Sequence, residues 1–518
     1  MRSDLRLTAF RSLPLASLES LVSTLLSLLP EEQSPIVITV KVEHPNSPAV
    51  NGSKPVGKSP IYDPGRLYLL EFATVLALRD DETLKSFGRQ VGEALHDVIR
   101  DAQNTHQTVI SRVIQHLLIL TKAGYEHSMV RLPVLLHSLS SLDPRVLGRS
   151  STTIAKGIRE CMTEGGPLRQ EMISSPDLWD LLIKLASSKE AAVVVFNIAQ
   201  DVAVGPNSAV NSDNYESIVS LLNEFAMAAG AESASQSQMQ LQTQRRDQTP
   251  NRRGEKRSKP LARVEQDTPV IARGSEAVRV IFQLSARLPS LIEQSQLVRN
   301  QAWEQYYNPV LSCLKTQCLN PSTAVRQISF QSLARILLSP SILCTEGIHW
   351  TQIYDKILFD LLQRLLRPEV FQTDPAGITE ARTRGATMLC RVFLTHLTDM
   401  IDAPNGQGKL EEVWIGILDL MARLVSSAKG GPSQEAMLES LKNVVLVMSS
   451  TGCLQKPVAD ASAVQEQQGG ESQGRSWAEE MWVITAKRLD GFVPSLMQEL
   501  FPDSADTGGR SKTAERAE

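Results

Sequence analysis

The chain has 518 residues, of which 42 % are hydrophobic and 5 % aromatic, and its formal net charge is −4. That length exceeds one ordinary core and asks for two or three domains or one long solenoid. Near-balanced charge and scarce aromatics exclude a chain-wide field for nucleic acid and a base-stacking platform, and no apolar run reaches the ~18–20 residues of a spanning helix.

Residues 1–29 open the chain. Asp4, Arg6, Arg11 and Glu19 interrupt any secretory apolar core. Leu18, Leu21, Val22, Leu25, Leu28 and Leu29 instead fall on one face of an amphipathic helix. A helix this apolar at the very start suggests a packing neighbour upstream of Met1, as in a fragment or a truncated reading frame. Residues 30–64 are rich in proline and read as a loop, with Ile36–Val42 as an isolated extended piece.

Residues 65–230 form a first block of helical repeats. The spacing predicts helices over 67–79, 82–102 and 109–123, then further starts near Val130, Ser150, Ser175, Ala191 and Ser212. Pro133, Pro144, Pro167, Pro176 and Pro206 sit near those starts, where proline is tolerated. The acidic run Asp80-Asp81-Glu82 suits a helix N-terminus and its dipole.

Residues 231–272 are poor in large apolar side chains, so a disordered linker is expected. It carries the one strong charge cluster: Arg245, Arg246, Arg252, Arg253, Lys256, Arg257 and Lys259. The plain reading is a solvated linker. The functional one is a surface that leans on anionic lipid or a partner.

Helical periodicity resumes over 273–502, broken by a polar loop at 455–475, and residues 503–518 read as a disordered tail. The segments 321–338 and 380–394 both set an arginine after a small or branched apolar residue early in a helix (Val325-Arg326, Ala381-Arg382) and echo HEAT-type inner helices. The helix at 433–448 buries Leu438, Leu441, Val444, Val445 and Met448, with Ser433 as its cap, Gly452 past its end, and Trp414, Ile417, Leu418 and Met421 as expected neighbours. The fold class is therefore all-α, a HEAT/armadillo-like α-solenoid in two helical blocks joined by a linker.

Nothing in the residues supplies chemistry. His96, His106, His116, His127 and His137 recur every ten or eleven residues, a spacing that cannot gather ligands on one helix face. Cys313 and Cys318 lack a second ligand pair, and the six cysteines read as reduced, buried thiols. No phosphate-binding loop occurs. Catalytic, metal and cofactor residues are therefore expected to be none.

Four stretches carry a family likeness: 67–84, 207–225 with Asp213-Asn-Tyr-Glu-Ser-Ile-Val219, 350–366, and 436–501. Together they resemble the helical C-terminal region of the large Golgi Arf guanine nucleotide exchange factors, the Gea/GBF family. Such factors catalyse through a Sec-seven domain with an F-R-x-P-G-E loop. Here Phe10-Arg11-Ser12-Leu13-Pro14 is followed by Leu15 and Ala16 rather than Gly and Glu, so no catalytic residue transfers. The resemblance implies a non-catalytic scaffold at the cytoplasmic face of Golgi membranes in ER–Golgi vesicle trafficking. Its implied partners are Arf and Rab-type small GTPases, the membrane surface, coat or tethering factors and a second copy of the chain, but not nucleic acid. The alternative is an unrelated helical-repeat adaptor or transport receptor.

Overall fold

Proline and short polar side chains start most of the helices. In the computed structural model, which describes residues 13–29, 62–163, 165–247, 266–295, 299–339, 350–402, 406–428, 430–457 and 476–502, Pro64, Pro133, Pro144, Pro167, Pro176, Pro269, Pro368, Pro375 and Pro432 each occupy a first helical turn. Pro206 differs: it lies in the turn after a helix. No strand occurs among the described residues. Ile36–Val42 and the tail at 503–518 lie outside them.

Two compact units divide at Phe225/Ala226. In the first, the helices are α1 (Leu15–Ser27), α2 (Pro64–Ala77), α3 (Asp81–Arg100), α4 (Gln107–Gly124), α5 (Leu132–Ser140), α6 (Pro144–Met162), α7 (Pro167–Ser174), α8 (Pro176–Ala186) and α9 (Ala192–Val204). They pack as two layers. One contains α1, α3, α5 and α8, the other α2, α4, α6 and α9, with each helix against the next in its own layer. Asp80 begins α3 with a reciprocal capping box: its carboxylate accepts from the Thr83 amide, and its own amide donates to the Thr83 hydroxyl.

This layering gives the apolar N-terminal helix a different neighbour from the one its sequence suggests. Leu18 and Val22 are fully buried, α1 packs on α2 and α3, and Arg79 donates to the Leu13 carbonyl at 3.0 Å. Leu21, Leu25 and Leu29 are half-buried and Leu28 is exposed, so α2 and α3 cover part of the stripe.

Helix α10 (Tyr215–Asp247) carries the division between the units and runs 17 residues into the stretch expected to be linker. Its Ala, Gln and Glu residues are good helix formers without large apolar side chains, and Ser233 is buried, so composition alone does not locate the helix end. The side chains of residues 241–247 and all of residues 248–265 lie outside the described residues.

In the second unit the helices are α11 (Pro269–Ser285), α12 (Leu288–Ser295), α13 (Asn308–Gln317), α14 (Thr323–Leu337), α15 (Asp360–Leu365), α16 (Pro368–Thr373), α17 (Pro375–Asp402), α18 (Gly406–Ala428), α19 (Pro432–Ser450), α20 (Trp477–Asp490) and α21 (Leu496–Leu500). Wide π turns at Trp303–Tyr307 and Ile353–Phe359 lead into α13 and α15. One layer runs α11, α14, α17, α19. The other runs α13, the 353–365 helix, α18, α20.

Helix α19 begins at Pro432 with Gly431 at its N-cap, so Ser433 lies inside the first turn rather than capping it. Its end is as the sequence predicts. Gly452 takes φ +80°, Cys453 donates to the Met448 carbonyl at 2.9 Å and Gly452 to Ser449 at 3.1 Å, a Schellman closure. Met437 replaces Leu438 among the fully buried residues of this helix. Its main neighbour is α17, with α18 second, although Trp414, Ile417, Leu418 and Met421 are all buried.

A candidate partner-binding groove

Three arginines hold successive turns together from inside. Arg169, Arg326 and Arg382 are 6 %, 3 % and 6 % exposed. Arg169 donates to the Asn207 carbonyl at 2.7 Å and to Asp201 at 2.8 Å. Arg326 donates to the Asn320 carbonyl at 2.9 Å and to Asp374 at 2.5 Å. Arg382 donates to the Leu365 carbonyl at 2.9 Å and lies over the Phe371 ring. Each guanidinium satisfies a carbonyl at an inter-helix turn that burial would otherwise orphan. The Val-Arg and Ala-Arg pairs of the sequence are thus packing residues.

With Arg382 turned inward, Arg384 and Arg391 remain on the outer face of α17. Between α14 and α17 lies a groove of about 330 Å³, lined by Phe330, Gln331, Ala334, Leu338, Thr383, Arg384, Thr387, Met388 and Arg391. Phe330 and Met388 are 4 % and 5 % exposed and make the floor. Arg384 pairs with Glu380 one turn back at 2.6 Å. Arg391 is exposed and forms no ion pair with a described residue. The same layer continues to α19 through Thr387 and Ser440, whose hydroxyls are 3.4 Å apart.

The first unit has a counterpart between α4 and α6, of about 670 Å³, lined by apolar Leu118, Ile119 and Ala123 with Lys122, Lys156 and Glu160 among its polar walls. Gly157 lets these two helices approach, since a Cβ there would collide with the Leu118 side chain. Ile119 is 43 % exposed.

The histidines sit apart, each with its own neighbour. His96 meets Ser138 at 2.8 Å, His127 meets Asp81 at 2.6 Å and His137 meets Asp177 at 3.4 Å. His106 caps α4, and His116 lies 3.4 Å from Glu71. Burial lowers the pKa of His96 and His116, against the pull of Glu71 on the latter. Among the described residues no group of three or more His, Cys, Asp or Glu could hold a metal. Cys161, Cys313, Cys318, Cys390 and Cys453 are buried and form no disulfide with one another. Desolvation pushes the thiols of Cys161, Cys313 and Cys390 up to about 12 and that of Cys318 well above its usual value, which keeps them protonated at neutral pH. Cys344 lies outside the described residues.

Of the basic cluster, Arg245 and Arg246 fall on the last turn of α10, while Arg252, Arg253, Lys256, Arg257 and Lys259 lie outside the described residues. Nothing chemical distinguishes Arg384 and Arg391 from other arginines in the sequence. Their signal was a spacing of seven, two helical turns, which sets both on one face of α17.

Residues 307–496 match the family described as GBF1-like, tetratrico peptide repeat region. Over 212 residues, 41 % of this chain and 9 % of the relative, the chain is 25 % identical to a Caenorhabditis elegans Golgi-specific brefeldin A-resistance guanine nucleotide exchange factor 1 homolog. Over 195 residues, 37 % of this chain and 12 % of the relative, it is 28 % identical to the Arabidopsis thaliana ARF guanine-nucleotide exchange factor GNOM. The chain thus spans about a tenth of the length of these curated relatives. The similarity to the GBF1-like region falls in the second unit. In the first unit, side-chain bonds between neighbouring helix pairs join residues between 32 (Arg169 to Asp201) and 46 (Tyr125 to Glu171) apart, a spread that overlaps the HEAT and armadillo length of ≈ 40–47.

Proposed function

We propose that this chain is a non-catalytic scaffold and regulatory region of a Golgi Arf guanine nucleotide exchange factor. The observation that carries the reading is the match of residues 307–496 to the GBF1-like repeat region. Stacked helix pairs with buried arginine staples and partly open grooves between neighbouring helices of one layer suit a surface that holds partners rather than one that reacts. In this reading the region supports recruitment to Golgi membranes and contacts with Arf, Rab-type GTPases and coat factors in ER–Golgi transport. Catalysis then belongs to a Sec-seven domain elsewhere in the full-length factor, and the chain works at the cytoplasmic face of the membrane.

The basic cluster at 245–259 supplies the membrane contact in this proposal. Each Lys or Arg near an anionic surface contributes about 1 kcal/mol. Deletion of residues 245–259 is expected to weaken co-sedimentation with phosphatidylserine vesicles, and unchanged binding would return the cluster to plain linker. The non-catalytic half is tested by release of fluorescent GDP from Arf. The purified chain should leave the spontaneous rate unaltered, and acceleration that grows with chain concentration would overturn it.

A further inference from the structure

The groove between α14 and α17 combines an apolar floor with Arg384 and Arg391 on one wall; its lining holds no carboxylate, although Glu380 just outside it shares the Arg384 guanidinium. We infer that it binds an acidic amphipathic helix of a protein partner. The inference stands on this geometry and goes beyond the family reading.

Charge complementarity fixes the occupant. Arg384 and Arg391 stand two turns apart on α17, about 10.5 Å along its axis. Carboxylates seven residues apart on a partner helix have the same separation, and planar guanidinium groups favour carboxylate in paired geometry. Between them Phe330 and Met388 floor a space of about 330 Å³, at the small end of the range of ligand pockets and large enough to take apolar side chains of a partner helix. Anchors on one helix face with acids flanking them are the helix-in-groove mode of recognition. Gln331, exposed on the opposite wall, provides an amide for the partner's polar edge. The core arginines take no part, because Arg326 and Arg382 are committed to internal carbonyls.

The test uses the full chain and a displayed library of amphipathic helices of about 16 residues, selected on the wild type. Binders are measured by fluorescence anisotropy against Arg384→Glu/Arg391→Glu, whose fold is checked by its unfolding midpoint. The expected result is recovery of acidic helices that bind the double variant at least ~10-fold more weakly. Lysine-substituted versions of the same peptides should prefer the double variant. A second variant, Gln331→Glu, adds a carboxylate without removing either cation and should weaken the acidic helices in the same direction. Recovery of no acidic helix, or of helices indifferent to these charges, would overturn the proposal. So would loss of anionic-vesicle binding by the double variant with no peptide effect, which would assign the groove to lipid.

Discussion

Replacing Arg326 with alanine tests the internal staples. The guanidinium is 3 % exposed and its Asp374 partner 12 %. The change removes bonds to the Asn320 carbonyl at 2.9 Å, to Asp374 at 2.5 Å and to the Thr323 hydroxyl at 3.3 Å. It leaves a carboxylate largely out of water and a carbonyl without its donor. Removing one partner of a buried pair costs ~3–5 kcal/mol. The exposed Arg384–Glu380 pair, one turn apart on α17, is worth only ~0.3–0.5 kcal/mol. Urea unfolding followed by tryptophan fluorescence reads the second unit, because Trp303, Trp350, Trp414, Trp477 and Trp482 lie there and only Trp179 does not. Arg326→Ala should lower stability by ~3–5 kcal/mol and Arg384→Ala by less than ~0.5 kcal/mol. Adding Asp374→Asn to Arg326→Ala should recover part of the loss, since the amide still caps α17 at Gly377 without a buried charge. A loss below ~1 kcal/mol for Arg326→Ala, or equal losses for the two arginines, would refute the staple argument.

Three further outcomes follow from local geometry. Gly416→Ala should destabilise by ~1–3 kcal/mol despite alanine's better helix propensity, because its Cβ would stand 2.7 Å from the Phe359 ring. The same unfolding curves check it, and a gain in stability would show that the ring can move. Gly452→Ala should cost ~1–2 kcal/mol, since φ +80° disfavours a side chain at the Schellman position; an unshifted midpoint would argue against that closure. His396 is fully buried, pairs with the Leu337 carbonyl at 2.8 Å and stacks on Trp350, and burial lowers its pKa. The neutral ring is the folded form, so its contribution is present above the unfolded value of about 6.5 and is lost as pH falls through and below it. His396→Gln should flatten the fall in unfolding midpoint on going from neutral to mildly acidic pH, and an identical slope would assign the acid sensitivity elsewhere.

Periodicity revealed the helices and proline their starts, because both signals are local. Asp80 with Thr83 and Gly452 with Cys453 could be read as termini for the same reason. Long-range facts were less visible. Whether the α1 stripe is covered depends on α2, which lies beyond a proline-rich segment, and no window of the sequence contains both. The end of α10 is not legible locally, because an alanine- and glutamine-rich helix has few large apolar residues to mark a stripe. The arginines of α17 show where the sequence falls short for function. Arg382, Arg384 and Arg391 are chemically identical, and only packing sends the first to the Leu365 carbonyl and leaves the other two beside an apolar groove.

The most direct test of the central claim is where the chain goes in a cell. A fluorescently tagged chain should concentrate on Golgi membranes, and it should compete with a full-length Golgi Arf exchange factor for recruitment there. A chain that stays evenly dispersed at all expression levels, and leaves the full-length factor's Golgi signal unchanged, would contradict the account.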